Sequence, residues 1–341
     1  MATGKTFTIE AFGTTKEGPF KPTTYESRPL GEHDIYVKMK ASGICHTDCM
    51  YMGMVPPNSV LGHEPVGTVV EVGSAVKRLK VGDLVGYSYL RKSCLDCYYC
   101  SSGNDIMCRE RVLFPEGGGN GFAKGAVVDS RFAYKIPDGI EAKHAGPLMC
   151  AGITVFNALY QAKLLPTARV AVVGIGGLGH LGLQFARAWG CHVTAISRSM
   201  SKKDEALAFG AHDFLNSDNF TPDYIKTLEK YDLILDTVSA DLDWDLYMSL
   251  LRPNGNICLI GVPHNPIEIK QIFPLIQEQI GIRGSMVGGR ATIQLMFEFA
   301  SRHNIKPTVE EFPFTAEGLT KGIDLCHKNK ARYRAVLVAD D

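Results

Sequence analysis

Between residues 35 and 87, apolar and polar side chains alternate in short runs set off by glycine-bearing turns. Ile35-Tyr-Val-Lys-Met-Lys40 puts every second residue on one face, the period of a half-buried strand. Gly67-Thr-Val-Val-Glu-Val72 and Leu84-Val-Gly-Tyr87 predict two further strands, with turns at Gly73-Ser74 and Gly82-Asp83. Helical spacing is scarce over the first 150 residues. Beyond them the pattern changes. Arg169-Val-Ala-Val-Val173 reads as a short buried strand, followed by helical sequence through Trp189. His192-Val-Thr-Ala-Ile196 reads as a second strand, followed by a charged helix over Lys202–Phe209. Asp232-Leu-Ile-Leu-Asp236, Asn256-Ile-Cys-Leu-Ile260 and Ile282-Arg-Gly-Ser285 continue the series of strands. A helix over Thr292–His303 and a strand at Arg334–Val338 close it. Strand and helix in alternation predict an α/β chain with a doubly wound parallel sheet behind a β-rich first part. Neither an internal repeat nor a low-complexity linker interrupts the pattern.

Length and charge narrow the classes. The 341 residues suffice for two domains; 45% are hydrophobic and 21% charged, a globular profile. Lys plus Arg equals Asp plus Glu at 36 each, so no net field favours nucleic acid or an anionic membrane as a partner. Met1–Phe7 lacks the apolar stretch of a secretory signal, and the longest apolar window, Val170–Trp189, is broken by His180, Gln184 and Arg187. A cytoplasmic location is the expectation. Of ten cysteines, four crowd into the fifteen residues from Cys94 to Cys108, which points to metal ligation or catalysis ahead of disulfides.

Val173-Gly174-Ile-Gly176-Gly177-Leu178-Gly179 follows a predicted strand and opens a predicted helix, the setting a dinucleotide-binding turn requires. Gly174 makes the tight turn, Gly176 admits a pyrophosphate, and Gly179 allows close helix–strand packing. The second strand ends Ser197-Arg198-Ser199, with Lys202 and Lys203 beyond, and lacks the carboxylate that would bind the ribose 2′-hydroxyl of NAD. Hydroxyl donors and positive charge suit a 2′-phosphate, so NADP(H) is the expected cofactor.

Cys94-x2-Cys97-x2-Cys100-x7-Cys108 can fold a loop around one tetrahedral Zn²⁺ with every position filled, a structural site. An iron–sulfur run begins alike, but its fourth cysteine follows after three residues and precedes proline. Here it follows after seven and precedes Arg109. Three further candidates are dispersed: Cys45 in Gly43-Ile-Cys-His-Thr-Asp48, His63 in Gly62-His-Glu-Pro65, and Cys150 in Pro147-Leu-Met-Cys-Ala-Gly152. Their spacing does not join them, and each taken singly is more often core packing than a ligand.

Together these segments resemble the zinc-containing medium-chain dehydrogenases. The likeness is to the cinnamyl alcohol dehydrogenase-like branch, through Cys-His-Thr-Asp at 45–48, Leu-x-Cys-Ala-Gly-x-Thr at 148–154 and Val-Gly-Ile-Gly-Gly-Leu-Gly-His at 173–180. It implies a GroES-like, β-rich catalytic domain over 1–150 and 290–341, and a Rossmann dinucleotide-binding domain over 151–289. It implies Cys45, His63 and Cys150 as catalytic zinc ligands, a ligand set that general knowledge of alcohol dehydrogenase supplies. Glu64 is the implied alternate ligand, Asp48 the carboxylate that orients the ligand histidine, and Thr47 the hydroxyl that carries the substrate proton. Two zinc ions per chain follow. Thr154, Gly174, Gly176, Gly177, Leu178, Gly179, Ser197, Arg198, Ser199 and Lys203 are the implied cofactor contacts. An alcohol or aldehyde substrate, hydride transfer and a homodimer complete the expectation.

The sequence departs from its relatives in places. Met50 stands where they often carry a relay histidine, so Thr47 and the cofactor ribose are expected to pass the proton to water. The stretch from Cys108 to Gly121 is shorter than in the plant enzymes, and Leu113 and Met286 occupy expected pocket-wall positions where aromatics often sit. An aromatic or medium-chain substrate fits without fixing one. Reduction of a conjugated C=C or C=N bond, or a zinc- and cofactor-binding redox sensor without turnover, stay open on the sequence alone.

Overall fold

The computed structural model describes residues 4–15 and 19–340. The chain divides into two compact units, Met1–Ile153 with Val287–Asp341, and Thr154–Met286.

The second unit is built on six parallel strands in the spatial order Asp213–Asn216, His192–Ser197, Arg169–Val173, Tyr231–Asp236, Leu251–Leu259, Gly281–Gly284. In chain order this is third, second, first, fourth, fifth, sixth, the doubly wound arrangement the alternation predicts. The order reverses beside Arg169–Val173, whose four valine and alanine residues are all buried, as a parallel strand covered on both faces requires. The helix Gly179–Ala188 starts from that strand's carboxyl end and buries Leu181, Leu183, Phe185 and Ala186. Two elements differ from the sequence reading. Asp213–Asn216 was not predicted: it is an edge strand with one neighbour, short and polar at both ends. The fifth strand begins at Leu251 rather than Asn256, and Pro253-Asn254-Gly255 forms an irregularity inside it, with Asn254 at φ 64°.

In the first unit the long strand Asp34–Ile44 organises a seven-stranded sheet. Glu64–Val72 pairs antiparallel along one edge. The other edge is shared: Gly125–Asp129 pairs with its first half and Arg334–Val338 with its second. Ile35, Val37 and Met39 point into the core with Leu61, Val69, Val85 and Phe122. The last four residues of the strand, Ala41–Ile44, are buried throughout, so it ends inside the unit rather than at its surface.

The carboxyl-terminal part returns through the helix Arg290–Arg302, fixed at its start by a residue 185 positions earlier. Asp105, fully buried, accepts from the Arg290 amide at 2.9 Å and from Arg290 Nε at 2.5 Å. A carboxylate there satisfies one of the free amides of the first turn and opposes the helix dipole. Among the described residues no helix is long and apolar enough to cross a membrane.

Candidate active site and metal centres

The four clustered cysteines meet in one place. All four Sγ atoms lie within 4.8 Å of one another, at 3.5 Å for Cys94–Cys108, 3.6 Å for Cys97–Cys100 and 3.8 Å for Cys94–Cys100. A disulfide would need about 2.05 Å. Thiolates about 2.3 Å from a shared tetrahedral zinc stand about 3.8 Å apart, which is the spacing found. The short helix Tyr98–Ser101 carries Cys100 back towards Cys94 and Cys97. Backbone amides of Asp96 and then Cys97 hold the Cys94 thiol down to about 7, favouring the thiolate a metal needs.

The dispersed residues also converge. One donor atom each from Cys45, His63, Glu64 and Cys150 lies within 4.8 Å of the others. Strand pairing brings the first three together: Gly43 is registered opposite Glu64, so Cys45, just past one strand, faces His63, just before the other. Glycine is required at 43, since a Cβ there would stand 1.9 Å from Glu64 Oε2. Cys150 arrives on one turn of π-helix, Leu148–Gly152, after the helix Ala142–Pro147. Such wide turns often mark functional sites. Cys45 Sγ is 3.9 Å from Cys150 Sγ, and His63 Nε2 is 3.3 Å from Cys150 Sγ.

Behind this trio stands Asp48. Its Oδ1 is 3.0 Å from His63 Nδ1 and accepts from the Gly62 amide at 3.2 Å, while Oδ2 accepts from the Cys45 amide at 3.0 Å. One carboxylate thus orients two of the candidate ligands and turns Nε2 towards the thiols. The hydrogen bond between Cys45 and Cys150 splits the thiol pair, holding Cys45 well below its ordinary range and pushing Cys150 above it. Burial opposes charge on His63, but Asp48 outweighs it and raises the imidazole well above the usual value. Glu64 has no exposure. Burial pushes its carboxyl up to about 7, against the pull of Arg334, which forms an ion pair with Oε1.

Thr47, half-buried, has its Oγ1 3.7 Å from Cys45 Sγ. Met50 is 47% exposed. Leu113 lies in the strand Val112–Leu113, paired with Leu90, and Met286 lies in the second unit, its carbonyl accepting from Asn157 at 3.0 Å. Sequence reasoning missed an aromatic cluster at His63. Phe114 and Tyr89 have ring centroids 5.0 and 5.8 Å from the imidazole, and Tyr51 and Tyr89 share a hydroxyl hydrogen bond of 2.8 Å. Nothing in a linear pattern joins residues 51, 89 and 114. The Arg334 partner of Glu64 was equally invisible, being 270 residues away.

In the second unit, Gly174 has φ 86°, and a Cβ at Gly179 would lie 1.8 Å from the Gly174 carbonyl oxygen. Gly176 faces open space, which leaves its backbone approachable by a pyrophosphate. Gly177 and Leu178 lead into the helix, and Thr154 is buried near the start of the helix Ile153–Ala162. Ser197 Oγ accepts from the Ser199 amide at 3.3 Å, while Arg198 and Ser199 are exposed. Of the two lysines, Lys202 reaches the glycine turn, donating to the Ile175 carbonyl at 2.7 Å. Lys203 instead lines a groove with Thr194, His212 and Asp213.

Residues 31–138 match the alcohol dehydrogenase GroES-like domain family and residues 177–302 the zinc-binding dehydrogenase family. The aldehyde reductase AdhA of Synechocystis is 41% identical, over 94% of this chain and 95% of its own. A cinnamyl alcohol dehydrogenase structure from Sorghum bicolor superposes with a TM-score of 0.88 at 33% identity, covering 97% of this chain and 98% of its own. A cinnamyl alcohol dehydrogenase of Helicobacter pylori, solved with NADP(H), gives 0.86 at 27% identity over 98% and 99%. The chain belongs to the zinc-containing medium-chain alcohol dehydrogenases, in the cinnamyl alcohol dehydrogenase-like branch.

Two donor sets of this kind set an analytical expectation. The purified protein should carry about two zinc ions per chain by elemental analysis, and Cys97→Ser should carry about one, because three thiolates bind far more weakly than four. Equal metal content in both would refute a zinc site in the four-cysteine loop.

Proposed function

We propose that the chain reduces aldehydes to primary alcohols and catalyses the reverse oxidation, with NADP(H) as hydride carrier and a zinc ion held by Cys45, His63 and Cys150. The observation that carries this reading is the convergence of those three donors, with Asp48 fixing the imidazole behind them. The first unit, on this reading, is the catalytic domain that binds both zinc ions, and the second binds the dinucleotide.

Cys45, His63 and Cys150 would hold a zinc ion, which when bound would supply a Lewis acid to polarise the substrate oxygen. NADPH supplies the hydride. The chain's own residues do the remaining work. Asp48 accepts the hydrogen bond of His63 Nδ1–H, which fixes the tautomer that leaves the Nε2 lone pair free for a metal. Glu64, paired with Arg334, would be a further donor to the ion. Thr47 presents a hydroxyl beside Cys45 and gives or takes the substrate proton. Tyr89 and Tyr51, both half-buried and backed by the buried Phe114, place aromatic surfaces near His63, which favours aromatic over small aliphatic aldehydes. The glycine turn from Gly174 to Gly179 receives the pyrophosphate on backbone amides at a helix start. Ser197, Arg198, Ser199 and Lys202, which sits on the turn itself, meet the 2′-phosphate in this reading, while the expected Lys203 lines a separate groove and takes no part. A homodimer formed through the second unit is part of the reading. The strand Gly281–Gly284 has a neighbour on one side only, and Phe273 and Ile276, in the short helix just before it, are each 70% exposed.

Three outcomes follow. With a panel of aromatic aldehydes, kcat/KM with NADPH should exceed that with NADH by at least about tenfold, or about 1.4 kcal/mol; parity would remove the 2′-phosphate assignment. Met50→His should move the pH dependence of kcat for alcohol oxidation by adding a proton acceptor beyond Thr47, and an unchanged profile would mean position 50 takes no part. Light scattering should give twice the mass of one chain, falling to one chain in Phe273→Asp/Ile276→Asp; a variant that stays dimeric would place the interface elsewhere.

A further inference from the structure

Six of the ten cysteines belong to the two donor clusters. Of the other four, Cys191 and Cys258 are buried in the second unit. Cys49 and Cys326 are half-buried in the first unit, and the proposed reaction uses neither. Far apart in sequence, these two meet. Cys49 lies in the short helix His46–Met52, which starts from Cys45, and Cys326 in the last turn of the helix Ala316–His327. The two helices pack on each other, and both cysteines border the apolar core of the unit. Cys49 Sγ stands 3.9 Å from the carbonyl oxygen of Ile323, which is one turn before Cys326 on the same helix face. It is 3.8 Å from the carbonyl oxygen of Cys45. The hydrogen bond to Cys49, and after it burial, push the Cys326 thiol well above its ordinary range, so Cys326 is the member of the pair that keeps its proton.

We propose that Cys49 and Cys326 form an oxidation site: a peroxide joins them in a disulfide that slows turnover, and a dithiol restores the two thiols. Cys49 is the attacking sulfur, because the Cys326 S–H is placed to donate to its thiolate. That thiolate attacks one oxygen of hydrogen peroxide, the O–O bond breaks, and the leaving hydroxide takes up a proton as water, which leaves a sulfenic acid on Cys49. Cys326 then attacks the Cys49 sulfur. The S–S bond forms, the S–OH bond breaks, and the hydroxyl leaves with the Cys326 proton as a second water. Two thiols and one peroxide thus give one disulfide and two waters, and thiol–disulfide exchange reverses the bond. The consequence for turnover lies in the helix His46–Met52, which carries Thr47 and Asp48 as well as Cys49. A disulfide closes the sulfurs to about 2.05 Å, so forming it draws this helix towards Ala316–His327 and moves the Thr47 hydroxyl relative to Cys45. A shift of about 1 Å at a reacting group is enough to cost about 10²-fold in rate.

The cross-link is read by mass, independently of the reaction proposed above, while its kinetic effect rests on that reaction. Zinc-loaded protein is treated with hydrogen peroxide, alkylated and digested without reductant. The expected result is a linked pair of peptides carrying Cys49 and Cys326, unchanged zinc content, and a kcat for aldehyde reduction lowered by about tenfold, recovered with dithiothreitol. Cys326→Ala should keep its kcat under the same dose of peroxide. Free thiols at 49 and 326 after the treatment, with oxygen on Cys45 or Cys150 or with zinc released, would overturn the proposal. A fully linked chain with unchanged kcat would do the same, and both results are read on the unaltered protein. A chain without aldehyde reduction before oxidation counts against the function, whereas a missing linked peptide counts against the pair.

Discussion

The metal site of the first unit depends on one strand register. With Gly43 opposite Glu64, Cys45 and His63 emerge from two neighbouring strand ends within reach of one ion. A slip of one residue would turn every side chain of either strand to its other face and separate the pair. Three features hold this register. Gly43 has no Cβ to meet the Glu64 carboxylate, Asp48 accepts from the amides of both Cys45 and Gly62, and Arg334 pairs with Glu64. The last comes from the strand Arg334–Val338, registered against Ile44 through Ala335. The final strand therefore completes both the sheet and the charge balance of the site. Two thiolates match a divalent ion, one carboxylate matches one guanidinium, and Asp48 accepts hydrogen bonds from His63 Nδ1–H and two backbone amides.

That dependence explains which parts of the chemistry were legible in the sequence. The four-cysteine loop was, because its donors fall within fifteen residues and the loop needs only to close on itself. The glycine turn was as well, since strand, turn and helix are contiguous and each glycine answers a local steric demand. Cys45, His63 and Cys150 are separated by 18 and 87 residues; strand pairing joins the first two, and a helix with its π-turn brings in the third. Resemblance to a family supplied that link where spacing supplied none. Arg334 and the Phe114–Tyr89 cluster had neither spacing nor motif to reveal them.

The fold divides in the same way. Buried parallel strands such as Arg169–Val173 and Tyr231–Asp236 announce themselves by their central apolar runs, because cover on both faces demands apolar residues there. Asp213–Asn216 has one neighbour and partial exposure, so nothing forces its composition towards valine and isoleucine. Lys202 and Lys203 show the limit of reading charge without direction. Adjacent in sequence, they diverge by the turn of a helix start, one towards the glycine turn and the other into a separate groove. Composition points to the sign of charge near the turn, but which lysine faces the turn is a matter of backbone geometry.

The four-cysteine loop has a further physical logic. From Cys94 to Cys108 it holds few apolar side chains able to anchor it, and Tyr98, Tyr99 and Met107 are exposed. Hydrophobic burial cannot fix such a loop, so cross-links through a metal replace it, as they do in small domains with insufficient cores. The loop nevertheless carries Asp105, whose carboxylate starts the helix Arg290–Arg302 and so holds the returning segment of the first unit. A structural metal in this loop therefore acts at a distance along the chain. Asp105 ties the loop to the segment that continues to Arg334, which pairs with Glu64 beside the other donor cluster. The two donor clusters share no ligand, but they are mechanically connected through the same unit.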